Sequence, residues 1–206
     1  MVEMSNSFQD YLCAQLEEID AAALKRVLQR IDPAQGVQIE IDSHVLLNFS
    51  SNNYLGLADH QALKKASIEA VEIYGSGLGS ARLISGSSTV IHQLEAALAG
   101  FKRTESALSF SSGYAAALGT VTALVGEGDV VVVDKLGHSC LIDAARLSRA
   151  KLRVFKHNDL EDLERILKWA AETSRNTLVI AESVFSMDGD IAPLDKIIKL
   201  KEIYGA

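Results

Sequence analysis

Two cysteines, Cys13 and Cys140, are all that this 206-residue chain contains. That is too few for a disulfide framework, and they lack the spacing of a zinc site, so both read as reduced thiols. Positive charge is short as well. With 20 Lys and Arg against 27 Asp and Glu the net charge is -7, so no broad positive field exists to gather nucleic acid or anionic lipid. No apolar run approaches the roughly 20 residues of a membrane span. The opening stretch, MVEMSNSFQDYLCAQLEEID, spreads acids through its turns and has no apolar core of signal-peptide length. Repeats and low-complexity tracts are absent too. What is present, 48% apolar and 23% charged residues, is ordinary globular composition. The expectation is a soluble, cytoplasmic protein with no nucleic-acid and no membrane partner.

Hydrophobic spacing divides the chain. In 8–29, Leu12, Leu16, Ile19, Leu24 and Leu28 recur near helical period, which predicts an amphipathic helix. After Pro33 and Gly36, alternation in 37–41 and 45–49 around Asp42, Ser43 and His44 predicts a hairpin. A helix over 61–74 should stop at Gly75, and GSGLGSARLISGSS (75–88), without an apolar face, should be a shaped loop before a helix over 89–101. Beyond it, apolar runs at 107–110, 130–133, 152–155 and 177–181 alternate with helical stretches at 114–125, 139–147, 160–172 and 194–204. This rhythm predicts an α/β fold, a mainly parallel sheet with helices on both faces. Asn158 or Asp159 is placed to cap the third of those helices and Pro193 stands beside the start of the fourth. The expected organisation is a helical arm and hairpin over 1–50 and part of a large α/β domain over 51–206. A final helix with no strand after it suggests truncation, and an unfinished sheet with an open edge favours aggregation or obligate pairing.

Ligands of open α/β sheets collect at the carboxyl ends of the strands, and three loops fall there. Ser111, Ser112, Gly113 and Tyr114 precede a helix, where glycine and unpaired N–H groups suit a phosphate, or where Ser112 acts only as a helix cap. His138, in VVVVDKLGHSCL, can stack on a flat cofactor or handle protons, or can be merely structural. In VFSMDGD, Asp188 and Gly189 suit a tight turn, with Ser186 aimed at the same edge. Asp188 and Asp190 lack the longer ligand series of a calcium loop, so no metal is expected. The glycines of GSGLGS follow a helix instead of a strand, which excludes a dinucleotide fingerprint.

Taken in order, NFSSNNYLGLADH, GSGLGSARLISGSS, HQLEAALAGF, FSSGYAAALG, HSCLIDAA, FKHNDL and ESVFSMDGDIAPL resemble the α-oxoamine synthase family of pyridoxal-phosphate enzymes. The resemblance runs from about Gly36 to the last residue. It implies the aspartate-aminotransferase-like large domain, pyridoxal 5'-phosphate as cofactor, and condensation of an amino acid with an acyl-CoA or acyl carrier protein thioester, with decarboxylation, in a homodimer. It further implies that Gly113 and Tyr114 bind the cofactor phosphate, that His138 stacks on the ring, and that Ser186 bonds its phenolic oxygen. Asn52, in preference to Asn53, would lie near the amino-acid carboxylate. The loop of Ser80, Ala81 and Arg82 would reach the neighbouring subunit's site, and Arg26 would hold the far end of the acyl chain.

The chain also departs from that family. An Asp-Glu-Ala-His type motif, whose aspartate pairs with the pyridine nitrogen, and a Schiff-base lysine in a Ser/Thr-rich setting are both absent; Lys135 is a strand-end residue by position. The expectation is a chain inactive by itself. A non-catalytic module that keeps the fold for interaction or dimerisation is the alternative.

Overall fold

The computed structural model of the chain describes residues 7–32 and 34–206. Pro33, read above as the break before the hairpin, and the first six residues lie outside them. No helix among the described residues is long and apolar enough to cross a membrane. The chain separates into two compact units, one up to Ser88 and one from Thr89 onward.

In the first unit, helix α1 covers Ser7–Ala21 and stops well short of residue 29. Ala23 turns to φ +54°, and Leu24 N–H reaches back to Ile19 O at 2.9 Å, a bond that closes a helix end. Leu24 and Leu28, which extended the apolar period, are 69% and 96% exposed. No packing therefore repays a longer helix. Strands β1 (Gln38–Ile41) and β2 (His44–Leu47) form the expected antiparallel hairpin, with Ile41 opposite His44. Asp42 and Ser43 between them both take positive φ, as a two-residue hairpin turn matching strand twist requires. Helix α2 (Gln61–Tyr74) begins where the His60 ring accepts Ala62 N–H and ends at Gly75, φ +80°. The loop after it is irregular. It folds tightly at Gly86, where any Cβ would overlap the Ser80 carbonyl.

The second unit carries helices α3 (Thr89–Lys102) and α4 (Gly113–Leu124), then β3 (Val130–Asp134), α5 (Ser139–Leu147), β4 (Lys151–Phe155), α6 (Leu160–Thr173), β5 (Thr177–Ile180) and α7 (Leu194–Tyr204). The strands form a parallel sheet in the order β4-β3-β5. Val131 and Val133 pack with Val121 of α4 and Ala144 and Ala145 of α5. Val130 and Val132 pack with Leu163 and Leu167 of α6 and Ile197 of α7. Period-two alternation through the four valines of β3 thus feeds two cores, which explains why the run 130–133 has no polar face. The crossovers β3-α5-β4 and β4-α6-β5 travel in opposite directions along the sheet. Their helices fall on opposite faces, as right-handed connections demand.

The run at 107–110 is not a strand. Its backbone is taken up by a side chain instead. Ser109 N–H and Oγ–H both donate to Glu95 Oε1 of α3, at 2.7 and 2.9 Å, and Phe110 lies against Gly119 of α4.

A buried carboxylate closes the amino edge of the sheet. Asp129 accepts from Arg175 Nε and Nη2 at 3.1 and 2.9 Å, from Asn176 Nδ2 at 3.1 Å and from Gly126 N–H at 2.9 Å. The Arg175 hydrogen bonds first, then that of Gly126, hold its pKa down to about 2 from the ordinary 3.8. A depressed carboxylate contributes stability that is present above the ordinary value and is lost as pH falls through the folded one.

Two outcomes follow. Phe155→Ala, which empties a site 1% exposed in the α6 core, should cost about 3–5 kcal/mol in urea unfolding. Arg175→Ala should destabilise the chain at neutral pH, and its deficit against the parent should shrink as urea titrations step from about pH 4 down to about pH 2.

Candidate functional site

The loops after β3 and β5 leave the sheet toward opposite faces, since α5 belongs to one core and α7 to the other. A crevice must open between the carboxyl ends of two such strands. His138 and Glu182 meet across it: the His138 backbone N–H donates to Glu182 Oε2 at 3.1 Å. Beside them a cavity of about 740 Å³ is lined by Gly113, Tyr114, His138, Cys140 and Glu182, with Leu124 and Ile180 on its apolar wall.

Local chemistry sets each of these residues. Ser112 caps α4 by accepting Ala115 N–H with its Oγ at 3.1 Å and Ala116 N–H with its carbonyl at 3.0 Å. Of the first-turn amides, those of Gly113 and Tyr114 meet no acceptor among the described residues. The two readings of this loop, cap and anion cradle, are therefore compatible. A Cβ on Gly113 would meet nothing within 4 Å, so there is room for an anion at the helix terminus, where the dipole favours one. Tyr114 Oη donates to Asp143 Oδ2 of α5 at 3.3 Å. The Asp143 charge, ahead of burial, raises the phenol's pKa and keeps it a donor.

His138 is the N-cap of α5, and its Nδ1 accepts Cys140 N–H at 3.2 Å. That bond leaves Nε2 to carry the proton of the neutral ring. The imidazole is thereby fixed at an exposed position with its donor side open.

Gly113, Tyr114 and His138 are thus brought together, whereas Ser186 does not line the cavity. It stands exposed on the turn that follows Glu182, a turn closed by Gly189 N–H to Phe185 O at 2.8 Å and Phe185 N–H to Asp190 O at 3.0 Å. Asn52, Ala81 and Arg26 belong to the first unit. Asn53 spends its side chain on the local loop, accepting Ala58 N–H at 3.0 Å. Asn52 is exposed and meets only Tyr54 Oη, at 3.5 Å, among the described residues. Ala81 is exposed, and its carbonyl accepts the N–H of Ile84 and of Gly86, each at 3.0 Å. Arg26 is exposed in the irregular segment after α1.

Sequence reasoning missed Glu182 and Asp143. Glu182 could have been found, because it directly follows the apolar run 177–181 and so had to emerge at the ligand-bearing edge. Asp143 carried no such signal; only the packing of α4 on α5 brings it to Tyr114.

Comparison with known proteins fits this geometry. The sequence profile of the family "Aminotransferase class I and II" matches residues 44–205. The chain belongs to the aminotransferase class I and II family. It is 47% identical over 197 residues to 8-amino-7-oxononanoate synthase of Thermoanaerobacter pseudethanolicus, an alignment covering 96% of this chain and 50% of that protein. Serine palmitoyltransferase of Sphingomonas wittichii has the same fold with a TM-score of 0.86 at 31% identity, over 100% of this chain and 51% of that one. The S. paucimobilis serine palmitoyltransferase, solved with bound PLP and myriocin, gives 0.85 at 29% identity, over 97% and 50%. The chain spans about half the length of the curated relatives it matches. In this aminotransferase-family chain, Ser112→Ala should lower stability by about 1 kcal/mol through loss of the α4 cap. Urea unfolding followed by circular dichroism measures it.

Proposed function

We propose that this chain supplies the cofactor-facing half of a pyridoxal-phosphate acyltransferase that condenses an amino acid with an acyl thioester. One observation carries the reading: the open amides of Gly113 and Tyr114 and the fixed imidazole of His138 border one cavity at the carboxyl edge of the sheet. An anion at a helix amino terminus beside a flat ring is what a phosphorylated aromatic cofactor requires. The room beside Gly113 is consistent with it.

When bound, the cofactor supplies an electron sink for the negative charge left at the amino acid's α-carbon. The chain's residues do the rest. Gly113 and Tyr114 N–H hold the phosphate. His138 would lie along the ring and present Nε2–H to the substrate carboxylate or carbonyl, and the resemblance assigns the phenolic oxygen to Ser186, which stands outside the cavity. The resemblance assigns Asn52 to the amino-acid carboxylate, Arg26 to the far end of the acyl chain, and the Ala81 loop to the partner subunit of a homodimer.

Among the substrates of such enzymes, alanine and a pimeloyl thioester on the way to biotin are the assignment. The motifs SSNNYLGL, SSGYAAA and VFSMDGD and the 47% identity to 8-amino-7-oxononanoate synthase support it. Glycine with acetyl-CoA, as in glycine C-acetyltransferase, and serine with palmitoyl-CoA are the competing pairs; likeness to the serine palmitoyltransferases favours the latter. The pyridine-pairing aspartate and cofactor-tethering lysine have no counterpart in these 206 residues, so by itself the chain binds the cofactor without turnover.

Titration with pyridoxal 5'-phosphate, followed by absorbance, should give saturable binding. Gly113→Val should weaken it about tenfold or more, roughly 1.4 kcal/mol, while urea unfolding stays unchanged. Equal affinity in parent and variant would remove the phosphate assignment. Fusion of this chain to the remaining half of the Thermoanaerobacter synthase should release CoA from pimeloyl-CoA with alanine; preference for glycine with acetyl-CoA or serine with palmitoyl-CoA would overturn the substrate assignment.

A further inference from the structure

Behind the exposed turn that carries Ser186 lies a polar cluster to which the proposed function gives no task. His157, in the loop from β4 to α6, points Nδ1 at Asp134 Oδ1 and Nε2 at Asp190 Oδ2, each at 2.8 Å. Asp134 ends β3, and Asp190 ends the turn. The His157 side chain is 22% exposed, against 1% for Asp134 and 40% for Asp190. Its ring stands edge-on to Phe185 with centroids 4.5 Å apart, and Phe185 is fully buried.

An ionised carboxylate only accepts hydrogen bonds, so two carboxylates on one imidazole are both satisfied only when both ring nitrogens carry protons. The two ends are unequally provided for. Asp134 also accepts Leu136 N–H at 2.8 Å and Asn158 N–H at 3.0 Å. Asp190 has, besides the ring, only Asn158 Nδ2 at 2.6 Å; its Oδ1 has no partner among the described residues. A neutral ring keeps one N–H. The more buried Asp134 holds it, because a lone pair facing that carboxylate out of water would cost more. Nε2 then turns a lone pair toward Asp190 at hydrogen-bond distance, and Asp190, the more exposed group, is the one that moves to solvent.

We propose that His157 is a positioning residue, a doubly hydrogen-bonded imidazolium clamp that holds the 185–190 turn, and with it Ser186, against the carboxyl edge of the sheet and lets go when it deprotonates. The charges acting on the ring are Asp134 from β3 and Asp190 from the turn; Phe185 and Asn158 complete its surroundings without charge. The Asp134 hydrogen bond is the largest cause of a pKa raised above the ordinary 6.5, with burial opposing it and Asp190 assisting. A raised histidine contributes fully below the ordinary value and is lost as pH climbs through the folded one. The clamp is therefore closed below the ordinary value and opens as pH climbs through the raised one. Only the identity of what Ser186 faces rests on the function proposed above; the clamp itself does not.

Amide hydrogen exchange on the 206-residue chain tests it, with Phe185 and Gly189 as reporters and Val132 of β3 as the internal standard. After correction for base catalysis, protection of the two reporters should fall as pH is stepped upward from the ordinary 6.5. The fall should be about tenfold for each unit by which the ring's pKa is raised, while Val132 holds. Ring ¹H–¹⁵N signals should come from both His157 nitrogens at the acid end. His157→Gln should give low, pH-independent protection of the reporters. Asp190→Asn keeps the inner His157–Asp134 contact should His157→Gln not fold, and should also abolish the pH dependence. A flat profile in the parent, or a parental profile in Asp190→Asn, overturns the clamp. Failure to bind pyridoxal 5'-phosphate with the exchange profile intact would overturn the functional reading alone.

Discussion

Strand β3 can exist only with both faces covered, because its four valines alternate between two helix layers and all are buried. At about 1.5–3 kcal/mol for each fully buried side chain of this kind, they outweigh any exposed ion pair in the chain. Lys65 and Glu69 on α2, for example, are worth a few tenths of a kcal/mol. Both other strands of the sheet pair with β3 and take their register from it. The loops that leave the carboxyl ends of β3 and β5 therefore inherit their positions from this strand. So does the crevice between them, where His138 and Glu182 meet.

Each end of this strand meets a buried aspartate, and their partners differ in a way that matches what each edge does. Asp129 at the amino edge is held by Arg175, which stays charged at any pH the fold survives. Asp134 at the carboxyl edge is held by His157, whose charge changes within the accessible range. The amino edge is thus insensitive to mild pH change, and the adjustable bond lies under the turn that carries Ser186. Neither aspartate sits idle in the core: each accepts at least two backbone or amide N–H bonds besides its cation's. This satisfaction of lone pairs lets a carboxylate occupy a buried strand end at all.

Legibility in the sequence followed the range of the forces involved. Helices α2, α5 and α7 have the bounds that apolar period and local caps indicate, and Asp159 caps α6 by accepting Asp162 N–H at 2.9 Å. These are short-range effects, confined to a few neighbouring residues. Readings failed where a distant residue decided the outcome. The run at 107–110 has strand composition, but Glu95, 14 residues before Ser109, takes the backbone N–H that a ladder would need. Helix α1 kept its period past Ala21, yet Leu24 and Leu28 stay exposed among the described residues. That Gly113, Tyr114 and His138 line one cavity was legible because each follows a strand-like run or opens a helix. The His157 cluster was not, because its partners lie 23 and 33 residues away and no local pattern links them.

Helix α4 bears on how such a site is completed. Its sequence, GYAAALGTVTAL, is apolar nearly all round and has no charged stripe, the pattern of a helix buried on more than one side. One side meets Val131 and Val133 through Val121. Another lines the cavity through Gly113, Tyr114 and Leu124, and Leu124 is still 61% exposed. A phosphate and a ring need the polar mouth at the amino end of this helix. The apolar wall farther along it, still exposed at Leu124, is left uncovered among the described residues. In the function proposed above, the amides of Gly113 and Tyr114 hold the anion through helix-terminus dipoles that solvent at this open mouth screens, so the terminus and not the apolar wall sets the affinity.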